Sequence, residues 1–183
     1  MTFANKDYKM PEKTGGNYTK FEQWETKLRV LGPIYTGWEY FNTDNKPVRQ
    51  EEKFDRIPKD CKPNRFDSSK LDLPKHFRAF KVWNYTTEQV ELCSINKRSL
   101  LEWLNSYIQS EEYGDVSWYD IKITKTGTGT DTRYTLMCLP PNPITDEVAE
   151  ANDSSDVHVD QLFAGWNPFL PREEDDIDTD EIF

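Results

Sequence analysis

The segment HFRAFKVWNY, residues 76–85, sets Phe77, Phe80, Trp83 and Tyr85 among the cations Arg78 and Lys81. Flat rings stack on unpaired bases and neighbouring cations neutralise phosphates, so this interleaving suits a single-strand nucleic-acid groove. The pattern recurs along the chain. KLRVLGPIYTGWEYF (27–41) carries Arg29, Trp38, Tyr40 and Phe41, and the following NKPVR brings Lys46 and Arg49. A late segment, KITKTGTGTDTRY, adds Lys122, Lys125 and Arg133 around a turn rich in glycine and threonine. Stacking contributes about 1–3 kcal/mol per base, so two or three such rings with a few phosphate contacts give useful affinity. The competing assignment is structural. Rings in the strands of a small barrel are commonly core, and Arg29, beside Leu28 and Val30, is equally suited to pairing with an acid.

Signatures of catalysis are missing by comparison. His76 and His158 are the only histidines, and no HExxH, GxSxG or P-loop pattern is present. A zinc site from Cys61, His76, Cys93 and Cys138 lacks the short CxxC spacing of structural zinc, so neither metal nor cofactor is expected. A metal-dependent nuclease needs clustered carboxylates, and the body of the chain has no such cluster. The expected chemistry is binding rather than catalysis.

These residues need elements to position them. Residues 1–16 are polar, contain Pro11, Gly15 and Gly16, and read as a mobile arm. Residues 27–41 read as one long strand bent at its glycines, followed by a turn and an extended piece. Residues 50–74, with three prolines, read as an exposed loop. Residues 76–85 and 90–95 form a hairpin, with Phe80 and Val82 turned inward and Lys81, Trp83 and Tyr85 turned to the groove. The spacing of Leu100, Leu101, Leu104, Tyr107 and Ile108 predicts a helix over 96–114, capped by Asn96 and stopped at Gly114. Segments 117–127 and 133–139 form a second hairpin. Five strand units with a helix between the third and fourth is the layout of an OB-fold, a mainly β, partly open barrel. The folded domain is expected to span 17–141.

Charge divides the chain at the same point. The net charge is −10, yet 142–183 hold thirteen acids and one base, leaving the first 141 residues with 22 bases against 20 acids. That asymmetry suits nucleic-acid binding, an interaction tail, or both. Residues 142–183 are therefore expected to be a largely disordered acidic tail. It contains two apolar islands, VDQLFAGWNPFLP (159–171) and IDTDEIF (177–183). No stretch approaches the roughly 18 apolar residues that span a bilayer. The first sixteen residues have no apolar core of a secretory signal. Three irregularly spaced cysteines suggest free thiols, and a cytoplasmic location is expected.

The last residues resemble the acidic tip of bacterial single-stranded DNA-binding proteins. Asp178, Asp180, Glu181, Ile182 and Phe183 match its acids and apolar end, although the penultimate proline is absent. The likeness implies a tip that recruits replication or recombination proteins. A broader likeness runs over 17–139 and into LFAGWNPF. NYTKFEQWETKLRVLGPIYTGWEYF, NKPVR, HFRAFKVWNY and WYDIKITKTGTGTDTRYTL resemble phage-encoded single-stranded DNA-binding proteins, with Phe21 where leucine is common. That resemblance implies an OB-fold that coats single-stranded DNA during replication, recombination or repair in an infected bacterial host. The alternative from another class is an adapter or DNA-mimic inhibitor, in which the barrel is a scaffold and the acids face a host enzyme.

Overall fold

A computed structural model describes residues 17–22, 24–165 and 167–170. The expected N-terminal arm and the tip residues Asp178, Asp180, Glu181, Ile182 and Phe183 lie outside them. Seven antiparallel strands form one sheet: β1 (Trp24–Val30), β2 (Tyr35–Phe41), β3 (Pro47–Gln50), β4 (Lys75–Asn84), β5 (Gln89–Ile95), β6 (Tyr119–Thr126) and β7 (Arg133–Pro141). The neighbour order is β3-β2-β4-β1-β6-β7, with β5 on the other edge of β4. Among the described residues β5 and β7 do not pair, so the sheet is not closed into the expected barrel. The expected order of a bent strand, hairpin, helix and hairpin is present.

The long first strand is two strands. The chain leaves regular pairing over residues 31–34, where Pro33 supplies no amide hydrogen and Gly32 no side chain. Gly37, by contrast, sits inside β2. A Cβ there would lie 2.5 Å from a ring carbon of Phe163 and 2.7 Å from the Gln50 carbonyl oxygen. Only glycine lets the chain pass so close. The turn between β2 and β3 is held by Asn42, whose Oδ1 accepts from the amides of Asp44 (3.1 Å) and Lys46 (2.9 Å). Helix α1 covers Arg98–Gln109, shorter than expected at both ends. Lys97, not Asn96, is its cap, and Asn96 instead donates to Glu39 at 3.3 Å. Leu100 and Leu104 are buried, whereas Ile108, expected on the apolar stripe, is exposed.

Strand β4 is buried on both faces. Phe80 and Val82 face α1 and join Leu28, Val30, Cys93, Ile95, Ile121 and Ile123 in the first core. Phe77, Ala79 and Trp83 face the other way, into a second core with Leu92, Val148, Val157, Val159 and Leu162. The last four belong to the segment expected to be a disordered tail. Here α2 (Asp146–Asp153) and α3 (Gln161–Ala164) lie in it, and the described residues of 142–170 pack on the sheet through Val148, Val157, Val159, Leu162 and Phe163. Thr145 caps α2 by accepting from Val148, and Asp146 and Glu147 occupy the first turn, where the helix dipole favours acids. Phe163 stacks on Phe77, ring centroids 5.8 Å apart. The acidic composition of 142–170 concealed an apolar face only the sheet could complete.

One buried ion pair pins this segment. Arg29 is 1% exposed, and its Nε donates to Asp120 Oδ1 at 2.7 Å. Its Nη2 donates to the carbonyl oxygen and the side-chain oxygen of Asn142 at 2.7 and 2.6 Å. Lys27 and Tyr85 complete the shell of Asp120 at 3.0 and 2.9 Å. Burial raises the Asp120 pKa, but bonds from Arg29, Lys27 and Tyr85 outweigh it and hold the group below the usual 3.8. The resulting stabilisation is complete above the unfolded value and is lost as pH falls through the lower folded value. Asp120→Ala strands a buried guanidinium and is expected to cost about 3–5 kcal/mol. Urea denaturation at pH 7 and at pH 3 measures this: the wild type weakens in acid, while the variant, weak at pH 7, loses less between the two.

Candidate nucleic-acid interface

The expected groove residues do not share one surface. Arg29 is sealed in the Asp120 network and faces no solvent. Trp83 is 6% exposed, in the second core beside Val157 and Val90. Tyr40 is buried; its hydroxyl donates to Asp60 at 3.0 Å, and burial, then Asp60, raises its pKa. Tyr85 is half-buried with its hydroxyl on Asp120 and Lys27 over its ring at 4.2 Å. Lys81 is half-buried on the Trp83 face; burial lowers its pKa and Asp153, from α2, offsets part of that. Arg49 pairs with the buried Glu39 at 3.1 Å and lies over Phe77. Lys46 is exposed on the turn before β3. The expected inward turn of Phe80 and Val82 is observed, but the opposite face of β4 is covered by residues 142–170 rather than open.

The β6–β7 hairpin behaves differently. Lys122 pairs with Glu25 at 3.0 Å, whereas Arg133 is exposed and Lys125 is half-buried. Lys125 stands directly opposite Trp24, whose ring is 76% exposed. Trp24 is not among the expected groove residues; it lies ahead of the 27–41 segment, and only the β1–β6 pairing sets its ring beside a cation.

A larger constellation lies on the α1 side of the sheet, beside an open cleft. There β2 and β4 run past the end of the first core. Trp38 and His76 are register partners, so their side chains leave the same face, and their rings meet edge-on at 5.4 Å. Arg78, two residues on, projects beside them toward α1. The cleft between this shelf and α1 is about 500 Å³ and is lined also by Asn96, Arg98, Leu101, Glu102 and Asn105. Lys53 stands over the Trp38 ring at 5.5 Å, and Lys75 lies at the rim. Thus Trp38 and Arg78 are brought together, and Lys53, Lys75, His76 and Arg98 join them without having been singled out for this role. His76 is the second residue of its strand and Arg98 opens the helix. Neither position signals a shared site until the helix docks.

The electrostatics of this cleft are uneven. Lys75 is paired with Asp72 at 2.8 Å, and Arg98 with Glu102 at 2.7 Å. Arg78 has only the neutral Asn105, to which Nη2 donates at 2.9 Å. Its Nε and Nη1 are shielded from water and without a hydrogen-bond partner among the described residues. Burial lowers its pKa, but a guanidinium stays charged at any ordinary pH. Burial, then the charge of Arg78, lowers the His76 pKa below 6.5, so His76 is neutral at pH 7.

A second exposed aromatic group contrasts with the cleft. Trp103, Tyr107 and Tyr113 run from α1 into the following loop, and Trp118 is 60% exposed beyond them. Residues 99–119 carry four acids and no Lys or Arg, so this arc repels phosphate. Among the described residues no three metal-ligating side chains come together, and no helix is long and apolar enough to cross a membrane.

Core and site aromatics separate by mutation. Trp83→Ala is expected to cost about 3–5 kcal/mol of stability. Trp38→Ala, at a half-buried position, is expected to cost roughly half as much or less. Thermal unfolding of the two variants measures the difference. No protein-family model matches the chain, and no curated protein or solved structure is found to be similar to it.

Proposed function

We propose that this chain binds single-stranded DNA through the Trp38 cleft and coats it without reading sequence. The observation that carries the reading is a half-buried indole flanked by Lys53, Lys75, Arg78 and Arg98 beside an open cavity. A ring that accepts any base, set among cations that follow a phosphate backbone, is the physical requirement for sequence-tolerant single-strand binding. The order of pairing supports an OB-type framework. The β1–β2 unit pairs with β4 and β6, β4 with β5, and β6 with β7, while α1 lies between β5 and β6 in sequence. Among the described residues the closing pair of that scheme, β5 with β7, is absent. The likeness of residues 17–139 to phage-encoded single-stranded DNA-binding proteins points the same way. On this reading the acidic tip recruits replication or recombination proteins by burying Phe183 while its acids steer encounter.

A second reading, a protein-binding adapter, is favoured by one observation. The sheet face carrying Phe77, Trp83 and Leu92 is filled by the chain's own residues 142–170, not open to a strand. The exposed arc through Trp103 and Trp118 then becomes the working surface, since exposed aromatics are common centres of protein interfaces. One measurement separates the two. Fluorescence anisotropy of labelled oligo-dT is expected to show binding that weakens steeply with salt. Trp38→Ala is expected to weaken it by about 1–3 kcal/mol, and Trp118→Ala to leave it unchanged. Absence of binding to any single strand at low salt removes the single-strand reading.

A further inference from the structure

We propose that the cleft between β4 and α1 is a phosphate subsite, in which Arg78 receives one phosphodiester of the strand while Trp38 carries the adjoining base. The proposal rests on the single-strand reading and adds to it the group that each side chain meets. Its starting point is the pairing of cations. Lys75 and Arg98 have carboxylate partners, and Arg78 has none among the described residues. An arginine that serves packing alone is normally matched by a carboxylate or by carbonyl oxygens, as Arg29 is in this same sheet. The residue that reaches Arg78 from α1 is Asn105, a neutral amide of the shape of aspartate. An aspartate there would neutralise the guanidinium and exclude an anion. With asparagine, the guanidinium keeps its charge unanswered; two of its three nitrogens are closed to water and lack an acceptor among the described residues, so an anion that pairs with it must turn the fork out toward the cleft.

The surroundings select a phosphate joined to a planar group rather than a carboxylate. The guanidinium fork matches phosphate oxygens in geometry and charge. An edge-on His76 ring fixes one side of the Trp38 indole, and Lys53 stands over the ring 5.5 Å from its centre. A carboxylate alone has a use for Arg78 and none for that indole. A nucleotide uses both, and the cleft of about 500 Å³ has room for one. The side-chain amides of Asn96 and Asn105 line the same space, offering a donor and an acceptor to any base edge or sugar hydroxyl.

The test compares thymidine 5′-monophosphate with thymidine as ligands of the full chain, read by thermal unfolding. It adds the salt dependence of oligo-dT binding by anisotropy, for wild type, Arg78→Met and Arg78→Lys. In the wild type the monophosphate is expected to raise the unfolding temperature and thymidine to raise it much less. Arg78→Met should abolish that difference and weaken oligo-dT binding about tenfold or more. It should also lower the salt slope by roughly one phosphate contact. Its ligand-free unfolding temperature should equal or exceed that of the wild type, because an unmatched charge has been removed. Arg78→Lys should recover part of the affinity. A ligand-free temperature that falls in Arg78→Met, with the monophosphate response and salt slope unchanged, makes Arg78 a structural residue and overturns the proposal. If Arg78→Met does not fold, Arg78→Lys decides alone: an unchanged affinity and slope overturn it. Oligo-dT binding that ignores both variants sinks the subsite and spares the single-strand reading. A monophosphate response that depends on Arg78, with no binding of any oligonucleotide, does the reverse.

Discussion

The two-sided burial of β4 constrains everything else in this chain. A strand with Phe80 and Val82 on one face and Phe77, Ala79 and Trp83 on the other needs two covering layers. Helix α1 and the far strands provide one, and residues 142–170 provide the other. Leaving Trp83 and Phe77 bare would expose two large rings on a single strand, at about 25 cal/mol for each Å² of apolar surface. The second layer is therefore part of the fold. It is held by Arg29, which reaches across from β1 to Asn142.

That arrangement decides where a ligand can go. With one face of the sheet covered by 142–170 and the centre of the other by α1, open sheet remains where β2 and β4 run beyond the helix. Trp38, His76 and Arg78 stand on this overhang. The same strand thus carries core rings and site groups, separated by one or two residues. Trp83 and Trp38 are alike as side chains, and only the covering layers give them different roles.

Charge is distributed to match. The acids of 142–170 gather on the covering segment, and those of 99–119 surround the exposed arc of Trp103 and Trp118. Near the cleft the acids Asp72 and Glu102 are each matched to a cation, which leaves Arg78 and Lys53 without a carboxylate partner among the described residues. Exposed and half-buried rings on this molecule therefore come in two electrostatic settings, one ringed by acids and one by cations. Net charge alone, at −10, gives no hint of this.

The local patterns were legible from residue types. Alternation marked β4 and β5, the leucine spacing marked α1, and glycine and proline marked the bend and turns. These signals act between near neighbours, where the period of a strand or helix is itself the physics. The sequence also offered Trp38 and Arg78 together with Arg29, Trp83 and Tyr40, and could not divide them. That division depends on which face of β4 meets α1 and which meets residues 142–170. Arg29 and Arg78 illustrate it most plainly. One strand partner, Asp120, 91 residues away, makes the first a structural ion pair. An asparagine on α1 leaves the second with its charge unanswered. Both outcomes arise from contacts between distant segments, set by how the sheet and its two covering layers pack. No spacing along the chain encodes them.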